Sequence, residues 1–96
     1  MDNKLQELLT ITMEECCELI QAFSKAIRCD DYHENRTRKK LTEEVGDVMC
    51  MMELMHEYDL ISWEDVGERV EVKKKKLRSK KIMRHMFHYE NPWVLK

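Results

Sequence analysis

Proline is absent from the first 91 residues of this 96-residue chain, and only two glycines, Gly46 and Gly67, occur anywhere in it. Few positions are left for tight hairpin turns, while Leu, Met, Glu and Lys, all good helix formers, are plentiful. The expectation is an all-α fold: a single domain over 1–96 built as a short chain of about three main helices. Hydrophobic residues make up 43% of the chain, which suits a packed core and not a disordered polymer. A domain this small buries a limited part of its surface. Apolar stripes on more than one side would gain from pairing with a second copy, so the helical bundle is expected to be completed by homo-oligomerisation, as a dimer or a dimer of dimers.

Periodicity places the helices. Leu5, Leu9, Met13, Cys16, Ile20, Phe23 and Ile27 recur at spacings of three and four, which predicts a first helix from about Asn3 to Arg28 with that stripe on the core. The polar stretch CDDYHEN ends it. Leu41, Val45, Val48, Met52 and Met55 predict a second helix from about Glu34 to Tyr58, whose polar beginning, ENRTRKK, is expected to be loose. Ser62 followed three residues later by Asp65 reads as a capping box opening a third helix, with Val66, Val70 and Leu77 as a thin apolar stripe and Asn91-Pro92 as its close.

Charge is unevenly spread. Residues 1–72 hold 18 acids and 8 bases, whereas 73–96 hold nine bases and one acid, within a net charge of −2. The basic segment from about 73 reads either as a solvated helix face with a tail or as a phosphate-binding surface. Cys16, Cys17, Cys29 and Cys50 form no CxxC, and no signal peptide precedes them, so reduced thiols in a cytoplasmic protein are expected. No uncharged run approaches the roughly 20 residues a bilayer span needs, which argues against a membrane partner.

Two acidic motifs carry the chemistry. In EECCELIQ, Glu15 and Glu18 stand three apart, and in EEVGDVM so do Glu44 and Asp47, so each pair projects from one helix face a turn apart. Glu18 adjoins Leu19 and Ile20, and Val45 and Val48 bracket the second pair, which puts these acids at or beside the apolar stripes. Four ionised carboxylates meeting there repel one another and lose hydration, a cost that falls sharply if a divalent cation sits among them. The donors are all oxygen and no His stands at the third or fourth place after an acid within either motif. Mg²⁺ suits such a set, with Mn²⁺ as a substitute, better than zinc or a di-iron pair. The competing reading, helix-surface salt bridges, fits one such motif better than two in separate apolar helices.

Glu14-Glu15-x-x-Glu18 and Glu44-x-x-Asp47, with 25 residues between Glu18 and Glu44, resemble the EExxE and ExxD motifs of the MazG-like nucleoside triphosphate pyrophosphohydrolases, an all-α superfamily. The resemblance covers about Leu8 to Lys76. It implies Mg²⁺-dependent hydrolysis of NTPs or dNTPs between the α and β phosphates, giving nucleoside monophosphate and pyrophosphate. It also implies Glu15, Glu18, Glu44 and Asp47 as metal-binding acids, with Glu15 or Glu14 accepting a proton from the attacking water. The family often presents a base, an Asn and a further base on the helix after ExxD. The nearest matches are Arg69, Lys73 and Lys76, with Lys in place of Asn. Lys25, two turns beyond Glu18, is a further candidate for contact with substrate.

Other features point less sharply. Trp63, Trp93 and Tyr58 could stack on a base but more often cover a core edge. His85 and His88 have a spacing that could bind metal, and Met49, Met51, Met52 and Met55 read as core or interface filler. Rival readings are a nucleic-acid-binding helical module using the basic segment, which leaves the acids unexplained, a dimerisation module holding a structural ion, and a related hydrolase acting on dUTP or an alarmone.

Overall fold

A computed structural model describes residues 1–29 and 35–80. The described residues form three helices and no strand, in the expected order: α1 (Asn3–Cys29), α2 (Asn35–Glu57) and α3 (Trp63–Arg78). Two units are distinguished, Met1–Leu60, which contains α1 and α2, and a second beginning at Ile61, which contains α3. Trp93, His85 and His88 lie outside the described residues, as does the Asn91-Pro92 pair. No described helix is long and apolar enough to cross a membrane.

Each helix end has a local cause. Asp2 caps α1: its Oδ1 accepts from the Lys4 amide at 2.9 Å, satisfying a donor that the first turn leaves unpaired. α2 ends in a Schellman arrangement, with the Asp59 amide bonded to the His56 carbonyl (3.0 Å) and the Leu60 amide to the Met55 carbonyl (2.9 Å). Asp59 takes the left-handed conformation this needs (φ 59°), which a short polar side chain tolerates. Ser62 caps α3 as expected, its Oγ accepting from the Asp65 amide at 3.3 Å.

α3 closes much earlier than Asn91-Pro92. It stops at Arg78, where the Ser79 hydroxyl donates to the Lys76 carbonyl at 2.6 Å and the Ser79 amide to that of Lys75 at 3.3 Å. Arg78 and Lys80, the charged residues at this end, bring like charge next to the lysines of the preceding turn. α2 differs in the opposite direction: its polar start is helical from Asn35 onward, and Thr37 is half-buried, its hydroxyl donating to Cys29 Sγ at 3.7 Å.

α1 and α2 pack together in opposite senses: residues 15 and 18 meet 44 and 47, while 26 and 29 lie near 36 and 37. The face α1 turns to α2 is not the one its hydrophobic spacing suggests. Leu8, Thr12 and Ala22 are the buried residues of α1, whereas Met13 (68% exposed), Ile20 (63%), Phe23 (48%) and Ile27 (80%) point to solvent. The physical reason is size. Thr12 and Ala22 let the second helix approach closely, with the Thr12 hydroxyl satisfied by the Leu8 carbonyl at 2.7 Å. α2 answers with Glu44 and Met51, its buried residues, and leaves Val45 and Met49 exposed. The cysteines carry no disulfide.

Candidate metal centre

Glu15 and Glu18 from α1 and Glu44 and Asp47 from α2 come together, with one carboxylate oxygen of each within 4.8 Å of all the others. The i,i+3 spacing sets each pair on one side of its helix, and the packing of α1 on α2 brings the pairs face to face, on the side of α1 where Thr12 and Ala22 are buried. Glu44 is buried, Glu15 half-buried, and Glu18 and Asp47 reach solvent.

Lys40, one turn before Glu44 on α2, places its Nζ 2.8 Å from Glu44 Oε1. That bond and the carboxylate's charge raise the Lys40 proton affinity above its ordinary value. The cluster is otherwise short of donors: the Oε2 atoms of Glu15 and Glu44 are both buried and have no hydrogen-bond partner. Buried carboxylate oxygens left unpaired are costly, and these two belong to hard oxygen ligands, the donor type a divalent cation such as Mg²⁺ or Mn²⁺ prefers. The residues therefore fit such an ion.

Burial, followed by the charges of Glu18, Asp47, Glu44 and Glu14, raises the Glu15 pKa above the ordinary carboxylate value. In the window between the unfolded and the raised folded pKa, the folded state binds more protons, so Glu15 makes stability fall as pH rises through it. The expected result is an ion-free protein whose melting temperature increases on acidification from neutral pH into that window, and a smaller increase when Mg²⁺ is present. Melting curves across the range in EDTA and in Mg²⁺ check this. A melting temperature in EDTA that only falls on acidification would contradict it.

A cavity of about 200 Å³ adjoins the acids, lined by Glu18, Gln21, Ala22, Lys25, Lys40 and Glu44. Lys25 thus stands beside the cluster. Lys40 was not singled out by the sequence reading, although its place four residues before Glu44 was a visible signal. Glu14 is exposed and outside the quartet, bearing on it through its charge on Glu15. Arg69, Lys73 and Lys76 lie exposed on α3, in the second unit, as does Trp63, while Tyr58, in the turn just after α2, is exposed.

Comparison with known proteins adds a family to this geometry. No curated protein and no solved structure matches the chain. The family model of the MazG nucleotide pyrophosphohydrolase domain matches residues 3–83, covering all three helices and both acidic motifs. The chain belongs to the MazG nucleotide pyrophosphohydrolase domain family.

Proposed function

We propose that the chain hydrolyses nucleoside triphosphates, ribo or deoxyribo, between the α and β phosphates in an Mg²⁺-dependent reaction, with Mn²⁺ able to substitute. The observation that carries this reading is the convergence of four carboxylates, two of them with buried and unpartnered oxygens, in a chain of this family. Glu15, Glu18, Glu44 and Asp47 would hold the ion. When bound, it supplies charge neutralisation on the phosphates and a fixed orientation for in-line attack.

The chain's own groups do the rest. Water attacks the α phosphorus, the bond to the α–β bridging oxygen breaks, and pyrophosphate leaves with the electron pair. Glu15, whose proton affinity burial and neighbouring acids raise, accepts the water proton, with Glu14 the nearby alternative. Lys25, beside the quartet, would bind the anionic substrate, and Arg69, Lys73 and Lys76 are proposed as phosphate contacts on the family resemblance alone. The exposed apolar flank of α1 supports a homodimer or dimer of dimers, and the unbridged thiols accord with a cytoplasmic protein.

The purified chain, given each NTP and dNTP with Mg²⁺ in ¹⁸O-water, is expected to release monophosphate carrying the label, together with pyrophosphate. Diphosphate plus orthophosphate would overturn the α–β assignment, and consumption of no nucleotide would overturn the enzymatic one.

A further inference from the structure

Glu44 is the most buried acid of the quartet, and its two oxygens have different surroundings. Oε1 accepts from Lys40 Nζ at 2.8 Å, while Oε2 is buried with no hydrogen-bond partner. The two side chains are unequal as well: that of Lys40 is 58% exposed and that of Glu44 5%. The ammonium keeps most of its water, whereas the carboxylate has given up nearly all of its own. A lysine–glutamate pair one turn apart lends a helix little, and less when the lysine comes first along the chain, as it does here. The bond matters for where it holds Glu44.

We propose that Lys40 is a positioning residue of the metal centre: its ammonium holds Glu44 Oε1 and so fixes the buried carboxylate with Oε2 left to ligate the ion. Lys40 acts through Glu44 and touches neither ion nor substrate. The proposal rests on the reading of the quartet as a divalent-metal site and adds what orients its most buried ligand. Two effects of Lys40 oppose each other: its charge repels a nearby cation, and its hydrogen bond keeps a ligand in place. Exposure decides between them. Water and salt screen the charge of the exposed ammonium. A carboxylate as buried as Glu44, left with both oxygens unpartnered among three other acids, turns out toward solvent and is lost as a ligand.

Mn²⁺ alone is the probe, its binding followed by the electron paramagnetic resonance signal of the free ion with no nucleotide present. Lys40→Met keeps an unbranched stem and a good helix former and deletes the ammonium. It is expected to bind Mn²⁺ about 10–100-fold more weakly than the wild type, the range for losing a group that orients a metal ligand, and Lys40→Arg, which can still donate to Glu44 Oε1, should recover most of the loss. Lys25→Met is the control for charge. Lys25 lines the same cavity beside the acids, so its loss removes an equal charge from the neighbourhood, and Mn²⁺ affinity should hold or rise. Circular dichroism checks that the helices persist, and the rise in melting temperature on adding Mn²⁺ should rank the variants in the same order. Should Lys40→Met lose its helices, Lys40→Gln takes its place with the same expectation.

Mn²⁺ affinity in Lys40→Met equal to or above that of the wild type would overturn the positioning role. Unchanged affinity with a raised KM for the triphosphate would make Lys40 a substrate contact, and tighter binding in Lys40→Met and Lys25→Met alike would leave it a charge that competes with the ion. A wild type that binds no Mn²⁺ overturns the role as well. The enzymatic reading fails separately. Wild-type protein that consumes no nucleotide, while Lys40→Met binds Mn²⁺ weakly and Lys40→Arg recovers, loses that reading and keeps the positioning residue. Wild-type protein that turns over triphosphates, with Mn²⁺ affinity untouched in Lys40→Met, loses the positioning residue alone.

Discussion

Replacing Glu18 by Gln, or Asp47 by Asn, is expected to lower turnover about 10²–10³-fold while leaving the helices formed, the scale seen when a group stabilising transition-state charge is removed. Both side chains reach solvent and each places an oxygen within 4.8 Å of the other three acids. The amides keep size and most hydrogen-bonding capacity and delete one negative charge, so a ligand role separates from a packing role. If these acids hold an ion against the phosphates, losing one weakens the hold where charge develops. In EDTA the same change relieves repulsion within a crowded anionic cluster, so the melting temperature should hold or rise. Melting curves with and without Mg²⁺, beside a pyrophosphate-release assay, give the answer. Wild-type turnover in both variants, or a fall in melting temperature with turnover per folded molecule preserved, would return the acids to the role of ordinary surface salt bridges.

The quartet was legible in the sequence because its determinant is local: two acids three apart on a helix share a side whatever the tertiary fold does. Helix number and the Ser62 cap were legible for the same reason. Which side of α1 meets α2 was not. Hydrophobic spacing selects Met13, Ile20 and Ile27, whereas the buried side of α1 holds Leu8, Thr12 and Ala22, of which only Leu8 is a large apolar residue. Glu15 lies on that same side, which is how a carboxylate oxygen comes to be buried. The place of Lys40 was hidden by composition, since Arg36, Thr37 and Lys40 belong to a polar stretch read as loosely held. What fixes that stretch is its packing against Ala22 to Cys29 of α1, a tertiary fact that no window of sequence contains.

The exposed flank of α1 leads to the second large effect: Ile20→Glu is expected to convert a homo-oligomer into monomers. Among the described residues the buried apolar set is only Leu8, Ala22 and Met51, while Met13, Ile20, Phe23 and Ile27 stay open to water on α1 and Val45 and Met49 on α2. Covering side chains of this kind is worth roughly 1.5–3 kcal/mol each when burial is complete, so a second copy laid on this flank gains more than the hairpin's own core supplies. At 100° per residue, Ile20 stands about 200° round α1 from Glu18, so copies pairing here leave the acidic side uncovered. A two-fold contact presents each substitution twice, and a buried unpaired carboxylate from both copies opposes association strongly. The catalytic consequence is indirect. The quartet depends on α1 and α2 staying in register, which so small a core holds weakly without a partner, so helicity, melting temperature and turnover should fall together in Ile20→Glu and survive in Ile20→Val. Light scattering at micromolar concentration decides the first step: a monomeric, fully active wild type, or an Ile20→Glu protein of unchanged mass and melting temperature, would place the flank outside any interface.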